Sequence, residues 1–159
     1  MELPKRKPTR LKRFDYSSNG AYFITICTHH KQKILCDIVG EGLCALPSIK
    51  PSPIGKTVDT AINYININYN DISIDKYVIM PNHIHLIVTI LSGGDGTPPL
   101  QLYDIIGRFK SFTTKHYKHT LWQRSFHDHV IRGEKDYLKI WEYIDTNPQK
   151  WTSDCFYVE

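Results

Sequence analysis

"YVIMPNHIHLIV", residues 77–88, decides the fold. Two runs rich in β-branched residues meet at Pro81-Asn82, which stops one strand and starts the next. The stretch therefore reads as an antiparallel hairpin with "ISIDKYVIM" (72–80) and "HIHLIVTI" (83–90) as its arms. Alternate side chains of a strand share a face. Ile84, Leu86, Val88 and Ile90 form one apolar face that fixes the register, because a slip of one residue would turn both histidines into it. His83 and His85 then stand on the opposite face, with Cα atoms roughly 6.5–7 Å apart. They are either two ligands for one ion or two polar residues on a half-exposed strand. Spacing does not choose between these, since "FHDHV" (126–130) places His127 and His129 on one face in the same way.

Working outward, "AYFITICT" (21–28) follows the turn signal Ser17-Ser18-Asn19-Gly20 and reads as a first strand. Prolines and glycines make 40–53 a flexible loop, and "LSGGDGTPP" (91–99) another. A helix is expected from Pro53 to about Tyr69, with Ile54, Val58, Ala61, Ile62 and Ile65 facing inward. A second spans about 100–119, with Leu100, Ile105, Ile106, Phe109, Phe112 and Thr113 inward and Arg108, Lys110, Lys115 and Lys118 in solvent. "FHDHVIRG" is a short strand or an extended link, and a last helix runs from about Glu134 until Pro148 stops it. This order predicts an α+β sandwich, ferredoxin-like (RRM-like): an antiparallel sheet with helices packed on it, in one domain over 1–159.

At 41% hydrophobic and 23% charged residues the chain can bury a core without staples. Cys27, Cys36, Cys44 and Cys155 show no C-x-x-C spacing, so neither a zinc ribbon nor a disulfide framework is suggested. With no apolar run near 18 residues and no apolar stretch behind the basic N-terminus, the expected place is the cytoplasm, without a membrane contact. The net charge of +4 is unevenly placed: Lys5, Arg6, Lys7, Arg10, Lys12 and Arg13 crowd the first 13 residues. That basic arm (1–13) either contacts phosphates or is a solvated terminus.

"WEYIDTNP" (141–148) is the second constellation. On a helix Tyr143 and Asn147 share a face, so a phenol and an amide can point at one spot. Asn147 precedes proline, which disfavours the α region and places it on a frayed last turn. Tyr137 is as plausible a phenol on composition.

Together, "FDYSSNGAYFITICT" (14–28), "YVIMPNHIHLIV", "LWQRSFHDHVIRGEKDY" (121–137) and "WEYIDTNPQKW" (141–151) resemble the REP-associated tyrosine transposases, a branch of the single-tyrosine HUH transposases. The likeness runs from about residue 5 to 157, with departures in the loops at 40–53 and 91–99. It implies the HUH endonuclease fold and cleavage and rejoining of single-stranded DNA through a covalent 5′-phosphotyrosine, at hairpins resembling repetitive extragenic palindromes. Carried over by position, His83 and His85 become the HUH histidines and Tyr143 the nucleophile. Asn147 falls where many relatives have a polar third ligand, often glutamine. The implied cofactor is a divalent metal, Mg²⁺ or Mn²⁺; by ligand softness two imidazoles suit Mn²⁺, Zn²⁺ or Ni²⁺ better than Mg²⁺. The implied partner is single-stranded or hairpin DNA, held by Lys5, Arg6, Lys7, Arg10, Lys12 and Arg13 of the arm and by Arg108, Lys110 and Lys115. His129 is expected to orient the site or touch DNA, and His127 to be structural. Monomer and homodimer both stay open, as do cis and trans attack. The alternatives are an RRM-like module stacking RNA on Tyr22, Phe23 and Tyr77, and a domesticated relative that binds nucleic acid without cutting it.

Overall fold

The computed structural model describes residues 15, 18–40, 46–91 and 101–158. The elements are β1 (Gly20–Cys27), β2 (Cys36–Val39), β3 (Ser48–Pro51), α1 (Pro53–Asn68), β4 (Ile72–Ile79), β5 (His83–Ile90), α2 (Leu102–Tyr117), β6 (His127–Val130) and α3 (Glu134–Thr146). Two 3₁₀ segments, His29–Lys31 and Asn147–Ser153, follow β1 and α3. The main sheet has the order β4-β5-β1-β6 with every pairing antiparallel. A βαββαβ chain in this strand order is ferredoxin-like.

The alternation along β5 sets the layers. Ile84, Leu86, Val88 and Ile90 are buried with Tyr22, Ile24 and Ile26 of β1 under α1 and α2, through Val58, Ile62, Ile106 and Phe109 among others. Each such aliphatic side chain removed from water stabilises the fold by about 1.5–3 kcal/mol, so a one-residue slip is costly. Ile87, Val78 and Met80 face the opposite way, against Ile140, Ile144 and Trp151 of the α3 side. The histidine strand is therefore an inner strand covered on both faces. His83 and His85 are 0% and 1% exposed, so of the two readings left open by spacing, that of polar residues on a half-exposed strand does not hold.

The turn between β4 and β5 is fixed by more than Pro81. The Met80 amide donates to the His83 carbonyl at 2.9 Å, and the Pro81 carbonyl accepts from the amides of Ile34 and Leu35. The Asn82 carbonyl accepts from the Thr28 amide (2.9 Å) and hydroxyl (3.0 Å). A fully buried asparagine thus ties the start of β5 to the end of β1.

Four expectations need correction. The loop expected over 40–53 contains a strand, because Ser48–Pro51 pairs antiparallel with Cys36–Val39 and lays Ile38 and Ile49 against the α3-side core. Phe112 is 42% exposed, on the rim of α2 rather than inside it. Lys110 is half-buried rather than free, since its ammonium donates to the carbonyls of Gln123, Arg124 and Ser125. Asn147 keeps helical dihedrals (φ −58°, ψ −42°), and Pro148 converts the helix into a 3₁₀ turn instead of fraying it. The basic arm, residues 41–45 and the loop at 91–99 beyond Leu91 lie outside the described residues, as does Leu100. Among the described residues no helix is long and apolar enough to cross a membrane.

Candidate metal centre and its tyrosine

The two imidazoles converge edge to edge. His83 Nε2 lies 3.1 Å from His85 Nε2. Each opposite ring nitrogen is occupied, Nδ1 of His83 by the Asn82 Oδ1 and Nδ1 of His85 by the Thr25 Oγ1, both at 2.8 Å. An amide oxygen only accepts, so His83 carries its proton on Nδ1 and turns a lone pair toward His85. Burial pushes both imidazoles down to about 3, with the Lys31 cation adding to the effect on His83 and the His83 ring adding to that on His85. They are neutral near pH 7. Neutral imidazoles with their outer nitrogens fixed by hydrogen bonds are the arrangement that metal-ligating histidines adopt.

The chain after α3 brings a carboxylate to this pair. The 3₁₀ segment Asn147–Ser153 leads to Asp154, whose Oδ2 ends 4.0 Å from His83 Nε2 with its side chain 2% exposed. One ligand atom from each of His83, His85 and Asp154 lies within 4.8 Å of the others. Asp154 is held by the Phe156 amide (2.7 Å to Oδ1) and by the Asn147 Nδ2 (3.0 Å to Oδ2). That leaves the Asn147 Oδ1 buried without a hydrogen-bond partner. An orphaned buried acceptor beside a carboxylate and two neutral imidazoles fits a divalent cation, since a buried polar atom without a partner is costly. The nitrogen spacing fits as well: two ligands about 2.1 Å from one ion at right angles are about 3.0 Å apart.

Tyr143 stands beside this group. Its ring centroid is 5.3 Å from that of His85 and 6.0 Å from that of Phe23, and the residue is 38% exposed. Burial raises its phenol above the ordinary range, the charge of Asp154 and the thiol of Cys155 add to this, and Asn147 opposes it. Tyr137 faces another environment. Its hydroxyl donates to Asp75 Oδ2 at 3.0 Å, and burial together with that carboxylate pushes it up to about 12.

No family model matches the chain. An uncharacterised protein of Haemophilus influenzae is 34% identical, over 97% of this chain and 94% of that protein. The REP-associated tyrosine transposase of Escherichia coli is 35% identical over 81 residues, 48% of this chain and 44% of that protein. A second Haemophilus influenzae protein, provisionally given the same name, is 27% identical over 87% of this chain and 75% of its own length. The fold superimposes with a TM-score of 0.64 on a solved REP-associated tyrosine transposase bound to a REP hairpin, 24% identical, covering 89% of this chain and 73% of that one. In sequence and in fold the chain is similar to REP-associated tyrosine transposases.

Within this chain the sequence-read residues separate clearly. His83, His85, Asn147 and Tyr143 come together at one end of the sheet, on the face covered by α3. His129 does not join them: its Nε2 pairs with Asp136 Oδ2 at 2.9 Å. His127 lies closer, opposite Thr25, which is itself opposite His85, and its ring is 6.5 Å from that of Phe156. Arg108 is exposed over Tyr69, on the α1–α2 side and away from the histidine face, and Lys115 is exposed on α2.

Three neighbours were not read from the sequence. Asp154 is one; the signal for it was an acidic residue a few positions beyond "NPQKW". Phe156 covers both imidazoles, with ring centroids 4.7 Å from His83 and 5.9 Å from His85, and its carbonyl accepts from Asn82 Nδ2 at 2.8 Å. Lys31 hangs 5.7 Å above that ring, at the end of two successive left-handed residues, His30 (φ 54°) and Lys31 (φ 53°). Non-glycine residues in that region are strained, and such strain clusters at functional sites.

Proposed function

We propose that this chain is a transposase that cleaves and rejoins single-stranded DNA with Tyr143 as nucleophile, His83, His85 and Asp154 as metal ligands, and Asn147 Oδ1 as a further oxygen donor. One observation carries the reading: the Tyr143 ring stands 5.3 Å from the ring of His85, whose Nε2 already converges with that of His83. A divalent ion bound there, Mg²⁺ or Mn²⁺, supplies a Lewis acid for a phosphate oxygen. The remaining work belongs to the chain. Asn82 and Thr25 hold the imidazoles with Nε2 inward, and the buried setting keeps them neutral and ready to ligate.

Tyr143 gives up its phenolic proton, its oxygen forms a bond to phosphorus, and the bond from phosphorus to the 3′ oxygen breaks. The departing oxygen takes a proton and leaves as a 3′-OH, while the 5′ phosphate stays on the tyrosine. Attack by a 3′-OH on that phosphotyrosine reverses the step and joins strands without ATP. Because Tyr143 stands beside a histidine of its own chain, the arrangement supports attack in cis. A hairpin is the substrate class supported by the solved relative, which is bound to one.

The test is a labelled hairpin oligonucleotide with a single-stranded flank, incubated with Mn²⁺ and run on a denaturing gel. A protein–DNA adduct is expected, lost in Tyr143→Phe and in the double variant His83→Ala, His85→Ala. An adduct that persists in Tyr143→Phe and vanishes in Tyr137→Phe refutes the assignment. The cover of Phe156 over both imidazoles favours the second reading, a relative that binds without cutting. Its signature is intact binding with no adduct under any divalent metal.

A further inference from the structure

The C-terminal half of α2 and the segment that follows it, residues 118–124, border an open groove of about 800 Å³ that the site above does not use. Its lining holds four cations, Lys110, Lys115, Lys118 and Arg124, and no carboxylate. Lys115, Lys118 and Arg124 are exposed and form no ion pair among the described residues. Like charges crowded in this way repel, and the fold carries that cost without an internal counter-charge. A polyanion would supply one.

The groove is also built rigidly. Lys118 ends α2 in the left-handed conformation (φ 65°), and Lys110 bonds the carbonyls of the facing segment. The Trp122 indole N–H donates to Thr113 Oγ1 at 2.8 Å, leaving Trp122 only 5% exposed. The groove is joined to the candidate metal centre by one strand: the Gln123 amide donates to the Cys27 carbonyl at 2.9 Å, and Cys27 lies opposite His83 in the sheet.

We propose that this groove seats the phosphate backbone of the double-stranded stem of a DNA hairpin, with the unpaired nucleotides leading from it to Tyr143. The inference rests on the function proposed above and adds where the paired part of the substrate sits. Cations and hydroxyls suit phosphates, and a lining whose exposed ring is the imidazole of His119 alone, with Trp122 buried, offers unpaired bases little to stack on. The aromatic faces lie instead at the other end of the path, where Tyr143 and Phe156 flank the histidines.

The test measures binding of the full chain by fluorescence anisotropy against salt, with a DNA hairpin, an unstructured DNA strand of the same length and an RNA hairpin as probes. The triple variant Lys115→Gln, Lys118→Gln, Arg124→Gln changes only exposed side chains. For the DNA hairpin its slope of log K against log salt should be shallower by about 2.7, three phosphates at roughly 0.9 each, with affinity at low salt at least tenfold lower. Lys56→Gln, on α1, is the control and should leave the slope as it is. An unchanged slope in the triple variant overturns the groove and leaves the Tyr143 reading standing. A loss as large for the unstructured strand overturns the assignment to the stem, and an equal loss for an RNA hairpin bound as tightly overturns the assignment to DNA. Adduct formation by the wild type is read separately, so its absence beside a shallower slope refutes cleavage and not the groove.

Discussion

Replacing Asp154 by asparagine removes one charge and almost no volume, and the surroundings can absorb the change. Oδ1 still accepts from the Phe156 amide, as it does now at 2.7 Å. The new amide nitrogen would meet the Asn147 Nδ2, 3.0 Å away, but Asn147 can turn its amide over and present the Oδ1 that now lacks a partner. Folding stability should therefore change by about 1 kcal/mol or less. The effect on an ion is larger. The carboxylate oxygen is 4.0 Å from His83 Nε2, so a cation between them feels the charge directly. A unit charge pair at about 4 Å in an effective dielectric near 20 is worth about 4 kcal/mol. Relief from burying the carboxylate returns part of it, leaving about 2.7 kcal/mol, a hundredfold weaker Kd. Calorimetric titration of Mn²⁺ into the full chain measures this, with urea unfolding of the same samples as the check on stability. A Kd within about threefold of wild type, with stability intact, refutes Asp154 as a ligand; Asn147→Ala then tests the amide oxygen by itself.

Tyr143→Phe should abolish the covalent adduct while Tyr137→Phe keeps it, because the Tyr137 hydroxyl is committed to Asp75. Gly55→Ala should cost about 3 kcal/mol or more in a urea melt, since the added Cβ would sit 2.0 Å from the Leu35 carbonyl oxygen, a backbone atom that cannot step aside. Alkali should weaken the fold through groups that burial holds protonated, Cys36 and Tyr77 among them. Cys36 is pushed up to about 12 from 9, and Tyr77 to about 12 from 10, the latter also by its bond to Asp59. Raised values mean that the unfolded chain loses these protons first, so stability is full below about pH 9 and falls as pH rises toward 12. Chemical unfolding midpoints across that range should show the decline, and Cys36→Ala should flatten it.

How much of this was legible in the sequence depends on which contacts are local. The hairpin, α1 and the register of β5 follow from short-range patterning, and the element bounds agree to within a few residues. The strand at Ser48–Pro51 was hidden because it carries two of the four residues as turn formers and gains its order only from pairing with Cys36–Val39. Asp154 was hidden for a different reason: a 3₁₀ turn has no apolar period to announce it, and the carboxylate reaches His83 only because Trp151 packs into the α3-side core. The two histidine pairs are the sharpest case. "HIH" and "HDH" have the same spacing and lie on the same face of the same sheet, since His85, Thr25 and His127 are neighbours across three strands. What separates them is strand order. β5 lies between β4 and β1 and is roofed by α3 and Phe156, so its imidazoles lose their water, stay neutral and keep a lone pair for a ligand. β6 is an edge strand, where His129 stays 55% exposed and bonds a carboxylate instead. Strand order is a property of the whole chain, so the same local spacing yields a candidate metal centre on the inner strand and a surface hydrogen bond on the edge.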